Sequence, residues 1–107
     1  MPYVRCINNQ GYEASLTQGA IYKLLPQDSN HYSLRVVDNE GEDYLYDARR
    51  FERITLDPDS MTVRDSITIH LDPVLKGILR AEALAQQKSI SAMLREWIDA
   101  QLDLPVA

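Results

Sequence analysis

The period of the hydrophobic pattern changes from two to helical at residue 72, and a polar segment at residues 57–64 divides the chain before that point. Before this segment, short runs of alternating apolar and polar residues are separated by Gly, Pro, Asn and Asp, a pattern typical of β-strands joined by turns. Because closing a sheet removes its exposed edges, short strands at this spacing favour a small closed or nearly closed barrel. The five predicted strands are YVRCI (3–7), AIYKLL (20–25), YSLRVVD (32–38), YLYDA (44–48) and FERITL (51–56).

After this segment, one further strand precedes two helices. In SITIHL (66–71), branched apolar residues alternate with small polar ones, which predicts a half-buried strand. Asp72 followed by Pro73 predicts the start of one helix, and Ser89 predicts the N-cap of a second. The apolar residues at helical spacing are Val74, Leu75, Ile78, Leu79, Ala81 and Ala85 in the first helix, and Ile90, Met93, Leu94, Trp97, Ile98 and Leu102 in the second.

The strand at 66–71 has no second strand in its half of the chain, and an isolated strand leaves its backbone N–H and C=O groups unsatisfied. Residues 64–102 also form too small a unit to bury a stable core alone. Both arguments predict an obligate homodimer, in which the strands of two chains pair antiparallel about a two-fold axis and the helices cover their apolar face. The expected dimer core is Ile67, Ile69, Leu71, Leu75, Met93, Leu94, Trp97 and Ile98.

The stretch SITIHLDPVLKGILRAEALAQQKSISAMLREWIDAQL, residues 66–102, resembles a ribbon-helix-helix domain, the fold of many small bacterial repressors and antitoxins. The alternating strand, the Leu-Asp-Pro before the first helix and the Ser-Ile-Ser that begins the second carry the resemblance. One departure is the turn between the helices, which usually contains Gly and here reads Gln86-Gln87-Lys88. The resemblance implies that the paired strands enter the major groove of double-stranded DNA.

The same resemblance assigns residues to the DNA surface. Base contacts are expected from the outward side chains of the strand, which are Ser66, Thr68 and His70. Phosphate contacts are expected at the start of the second helix, whose backbone N–H groups can hold an anion, and from two further cations. The residues concerned are Ser89, Ile90 and Ser91, with Arg64 and Lys88.

The first half resembles a small SH3-like barrel domain of bacterial proteins, through VRCINNQGYEASLTQGAIYKLL and VVDNEGEDYLYDARRFERI. This resemblance implies a fold and no particular ligand. Tyr44 and Tyr46 share a face by period two, and with Tyr12 they accompany acidic residues. Such an aromatic and acidic groove could bind a proline-rich or basic peptide of a protein partner. The alternative is that most of the tyrosines pack at the barrel edges with their hydroxyls in water.

The net charge of -5 differs from that of most nucleic-acid-binding domains, which are basic. Residues 1–63 carry six Lys and Arg against ten Asp and Glu, and residues 64–107 carry five against six. The trio expected to contact bases also lacks Arg, Asn and Gln, the side chains that read guanine or adenine through two hydrogen bonds. These facts favour an alternative function, a protein-interaction module in which the second half only dimerises. An antitoxin is a variant of either function.

The remaining composition excludes several classes of protein. A single cysteine, Cys6, allows no internal disulfide and suits a reducing compartment. With no apolar run of membrane-spanning length and no signal-peptide pattern, a cytoplasmic location without a membrane partner is expected. There is no phosphate loop, catalytic constellation or metal-ligand spacing in the sequence, so neither enzymatic activity nor a cofactor is expected.

The sequence therefore predicts an α+β protein with two domains. An SH3-like barrel is expected at 1–56, a linker at 57–64, and a ribbon-helix-helix domain for dimerisation and DNA binding at 65–104. The leading functional hypothesis is a homodimeric transcriptional regulator that binds DNA through the second domain and a protein partner through the first.

Overall fold

The computed structural model describes residues 1–56 and 64–104. The described residues form two compact units, one of β-strands before residue 57 and one of helices after residue 63. The chain is therefore a mixed α+β protein, as predicted. The predicted linker at 57–64 lies outside the described residues apart from Arg64.

The first unit is a five-stranded antiparallel sheet with the spatial order β4-β3-β2-β1-β5. All five strands predicted for this half are present, with their ends shifted by a few residues. The connection between β3 and β4 contains Gly41, whose φ of 75° is free of steric cost in glycine. The strands are β1 (Tyr3–Cys6), β2 (Ile21–Leu25), β3 (Ser33–Val37), β4 (Asp43–Asp47) and β5 (Phe51–Arg53).

The sheet is open, so the prediction of a closed barrel was wrong. β4 and β5 form its two edges, and among the described residues they do not pair with each other. Closure was expected because it protects edges, but short strands and charged residues protect them as well. β5 is only three residues long, and β4 has Asp43 and Asp47 at its two ends. The short β5 strand and the charged ends of β4 therefore protect the two edges without closing the sheet into a barrel.

The core of the first unit lies on one face of the sheet. The alternate residues Val4 and Cys6 of β1 belong to it, as period-two spacing requires. Tyr22 also belongs to this core, and its hydroxyl is satisfied: it accepts from the N–H of Thr17 and donates to Asn39 Oδ1, both at 2.7 Å. The buried residues are Val4, Cys6, Leu16, Tyr22, Val36, Tyr46 and Phe51.

The second unit consists of two helices, α1 (Pro73–Ala85) and α2 (Ile90–Leu102). Both predicted N-caps are confirmed. Asp72 Oδ1 accepts a 2.9 Å hydrogen bond from the N–H of Leu75, and Ser89 Oγ accepts a 3.1 Å hydrogen bond from the N–H of Ala92. In the described part of the chain, no helix has the length and apolar character needed to cross a membrane.

The turn between the helices contains a left-handed residue that is not glycine. Gln87 has a φ of 58°. Its N–H donates to the carbonyl of Leu84 at 3.1 Å, and the N–H of Lys88 donates to the carbonyl of Ala83 at 2.9 Å. This pair of hydrogen bonds is the Schellman motif, which usually has Gly at the left-handed position. The turn therefore takes a geometry that glycine would adopt more easily, at a steric cost to Gln87.

Candidate dimer and DNA interface

Residues 64–71, which contain the predicted ribbon strand, are exposed along their whole length. They belong to no strand or turn, and no backbone hydrogen bond joins them to another described residue. Among the described residues of a single chain, this segment thus has no partner of the kind that a strand requires. Its pairing with the same segment of a second chain stays a prediction.

The apolar side chains of this segment are open to solvent. Ile67 is 88% exposed and Ile69 is 68% exposed. Burying a side chain of this size contributes about 1.5–3 kcal/mol, so a partner that covers both isoleucines gains substantial free energy. The polar residues that alternate with them, Ser66, Thr68 and His70, are exposed as well. A side chain must be exposed in this way to contact a DNA base.

The helices of the second unit also leave apolar surface uncovered. Among the described residues of this unit, only Ala83 and Met93 are buried. Trp97 and Ile98 remain 44% and 55% exposed, and exposed apolar residues grouped in so small a unit are typical of an interaction surface. Of the predicted dimer core, Met93 is already buried in the single chain, Leu94 is half-buried, and the exposed members are Ile67, Ile69, Leu71, Leu75, Trp97 and Ile98.

The start of α2 has the groups expected of a phosphate contact. Ser89 Oγ accepts the hydrogen bond from Ala92, whereas the N–H groups of Ile90 and Ser91 have no acceptor among the described residues. Free N–H groups and the partial positive charge of a helix start favour an anion. Ser89 and Ser91 are exposed, and Ile90 is half-buried.

Lys88, predicted to contact phosphate, is already paired in the single chain. Its Nζ donates to Glu96 Oε2 in a salt bridge between the inter-helix turn and α2. Both side chains are partly exposed, so solvent screens this ion pair. Arg64, the other predicted cation, is exposed. The pairing of Lys88 with Glu96 could not be predicted from the sequence, because Lys88 precedes the helix and Glu96 lies within it, so no helical spacing relates them.

The three tyrosines predicted to bind a partner lie together on the first unit. The ring centroid of Tyr46 is 5.2 Å from that of Tyr12 and 5.0 Å from that of Tyr44. Tyr46 is only 4% exposed, whereas Tyr44 is 54% exposed. Tyr46 therefore supports the other two rings, and Tyr12 and Tyr44 provide the accessible surface.

Two charged residues outside the predicted site hold these rings in place. The Arg50 guanidinium lies 4.6 Å from the ring centroid of Tyr12 and donates to two backbone carbonyls of residues 8–10. The Tyr46 hydroxyl donates to Asp38 Oδ2 at 3.0 Å. Burial, together with this hydrogen bond, raises the pKa of Tyr46 to about 12. These are tertiary contacts, which no local sequence period reveals.

No known family, curated protein or solved structure matches this chain. What the protein does has therefore to be inferred from the two units themselves.

Proposed function

We propose that the protein is a homodimeric DNA-binding transcriptional regulator whose second unit dimerises as a ribbon-helix-helix domain. The observation that carries this proposal is the exposed segment 66–71, which leads into a capped helix with Ile67 and Ile69 open to solvent. A second copy of the segment is the simplest partner. Two-fold antiparallel pairing satisfies the facing backbone groups of each strand and brings both pairs of isoleucines to one face, where the helices can cover them.

In such a dimer, the two strands present their polar faces together. With Thr68 on the two-fold axis, Ser66 of each chain lies opposite His70 of the other. A two-stranded ribbon fits the major groove, where base edges are distinguishable. Thr68 can contact a thymine methyl group, and His70 can donate a hydrogen bond to a base acceptor.

Phosphate contacts at the start of α2 would fix the ribbon on the duplex. The free N–H groups of Ile90 and Ser91 would hold a phosphate, with cationic contacts from Arg64 and Lys88. Because residues 64–107 carry five Lys and Arg against six Asp and Glu, these local contacts, and not a basic field over the whole unit, would supply the electrostatic affinity.

For the first unit, we propose an open SH3-like sheet that binds a protein partner through Tyr12 and Tyr44. Both rings are accessible, and they are supported by the buried ring of Tyr46. The β3–β4 connection contributes Glu40 and Glu42, both exposed. Aromatic surface beside carboxylates suits a basic or proline-rich peptide in an extended conformation.

The second candidate function is a protein-interaction adaptor in which the second unit serves only to dimerise. The net charge of -5 favours this function, as does a ribbon face without Arg, Asn or Gln. Recognition would then belong to Tyr12 and Tyr44, while Thr68 and His70 would only be solvated. An antitoxin-like protein is a variant of either function.

Titration of the whole chain against fragments of host promoter DNA, at several salt concentrations, separates the two functions. For a regulator, the logarithm of the affinity falls linearly with the logarithm of the salt concentration, with a slope of about -0.9 for each phosphate contacted. Circular dichroism and sedimentation of the same sample test whether the protein is a folded dimer. A folded dimer that binds no fragment at low salt would exclude the regulator and leave the adaptor.

A further inference from the structure

We infer that Glu96 competes with DNA phosphate for Lys88 and so lowers the DNA affinity of the second unit, an inference that rests on the proposed DNA-binding function. The observation behind it is the salt bridge from Lys88 Nζ to Glu96 Oε2. It places a carboxylate on a cation next to the expected phosphate contact.

The backbone of Lys88 is fixed on both sides, so only its side chain is free to choose a partner. Its own N–H donates to the carbonyl of Ala83 in the Schellman turn, and the following residue, Ser89, is the N-cap of α2. Lys88 therefore stays at the helix start, whichever anion its Nζ contacts.

The two anions lie in different places along α2. Glu96 is about two helical turns beyond Ser89, or roughly 10 Å along the axis at a rise of 1.5 Å per residue. The free N–H groups that would hold a phosphate belong to Ile90 and Ser91, in the first turn. A lysine that contacts Glu96 is therefore drawn away from a phosphate bound at the helix start.

Glu96 is the appropriate residue to test because its salt bridge is the only one between described residues of the second unit. Asp99 lies one turn further along the same helix, is exposed, and forms no salt bridge with a described residue. It therefore provides a carboxylate of equal charge that does not hold Lys88.

Since exposed ion pairs are weak, Glu96 is expected to reduce DNA binding and not to prevent it. The variant Glu96→Gln removes the carboxylate from both protomers of the dimer. Its DNA affinity is expected to rise roughly threefold to thirtyfold, because two ion pairs no longer have to be broken. The plot of the logarithm of affinity against the logarithm of salt concentration is expected to steepen by up to about two units of slope per dimer, because each freed lysine can add one phosphate contact.

Matched variants separate this contact from the general effect of charge. Asp99→Asn removes the same charge without releasing Lys88 and should give a clearly smaller gain. Glu96→Asp keeps the charge but withdraws the carboxylate by one methylene, and it should give part of the gain. When Lys88 is already replaced by Gln, Glu96→Gln has no lysine to release, so it should raise the DNA affinity no more than Asp99→Asn does.

Each result decides for or against the inference. Equal gains in DNA affinity from Glu96→Gln and Asp99→Asn would overturn it. So would a full gain from Glu96→Gln in the Lys88→Gln background. In both cases, DNA binding by the unaltered protein would still stand. If the unaltered protein and Glu96→Gln are both folded dimers by circular dichroism and sedimentation, yet neither binds any fragment, the DNA-binding function itself fails.

Discussion

The backbone N–H of Lys88 donates a 2.9 Å hydrogen bond to the carbonyl of Ala83, across a turn in which Gln87 has a left-handed backbone. A residue with a Cβ atom loses roughly 1–2 kcal/mol in this conformation, whereas glycine adopts it without steric cost. The hydrogen bonds that end α1 therefore hold Gln87 in a conformation that its own side chain disfavours.

Replacing Gln87 with Gly should stabilise the second unit. We expect the free energy of unfolding to rise by about 0.5–1 kcal/mol, since the steric cost disappears and part of the gain is offset by the greater freedom of glycine when unfolded. Urea denaturation at a fixed protein concentration measures this change. Gln86→Gly is the control, because Gln86 has a right-handed backbone and should lose stability instead. Equal effects of the two substitutions would contradict the steric explanation.

Replacing Ile69 with Ser should dissociate the proposed dimer. Each dimer loses two buried isoleucine side chains, at about 2 kcal/mol each, so the dissociation constant should rise roughly a thousandfold. Sedimentation equilibrium over a range of concentrations measures it directly. Thr68→Ala, on the opposite face of the same segment, should leave dimerisation nearly unchanged. If Ile69→Ser dimerises as tightly as the unaltered protein, the two-chain ribbon is wrong.

Replacing both Thr68 and His70 with Ala should abolish specific DNA binding while the protein remains dimeric. Each lost base contact is worth less than the roughly 1–3 kcal/mol of a bidentate pair, but the dimer contributes each residue twice. Competition between specific and non-specific DNA measures the loss. The control is Tyr44→Ala on the first unit, which should leave DNA affinity unchanged. The opposite pattern, in which only Tyr44→Ala has an effect and that effect is on capture of a protein partner, would support the adaptor.

Tyr46 should ionise at higher pH than an ordinary tyrosine. Burial and the contact with Asp38 raise its pKa from 10.0 to about 12 in the folded chain. The folded state thus binds the phenolic proton more tightly than the unfolded state does. The resulting stability is complete below pH 10 and is lost as the pH rises towards 12.

Tyr46→Phe should therefore flatten the decline in the free energy of unfolding between pH 10 and pH 12. In a titration followed by tyrosinate absorbance, the component that ionises at the highest pH should disappear. Tyr44→Phe removes the hydroxyl of an exposed ring and serves as the control. If the alkaline stability profiles of the two variants coincide, Tyr46 does not carry the effect.

Local sequence signals were sufficient for the strands of the first unit and for both helix starts. Asp72 and Ser89 could be identified as caps because an N-cap bonds a backbone N–H only a few residues away. Sheet closure could not be predicted in this way, since it depends on whether the two edge strands meet. Leu16 is fully buried although it lies in a loop without a hydrophobic period.

The side-chain contacts within the candidate sites also could not be predicted from local sequence patterns. Arg50 contacts Tyr12 from a separate part of the chain, and Lys88, in the turn before α2, contacts Glu96 within that helix. Such pairs depend on how elements come together in space. By contrast, the alternation in 66–71 is a local property with period two and predicts a strand, but in the single chain these residues belong to no strand, and their pairing with a second chain stays a prediction.

The uncovered Ile67 and Ile69 bear on how long a newly synthesised chain survives. If the proposed dimer covers these residues, a chain that has not yet paired displays an exposed apolar stretch of the kind that chaperones bind and proteases cleave. Chains made in small numbers would mostly be degraded before pairing, whereas those made in large numbers would be protected by mass action. The cellular amount of the protein would then rise steeply once synthesis passes a threshold set by the dissociation constant of the pair.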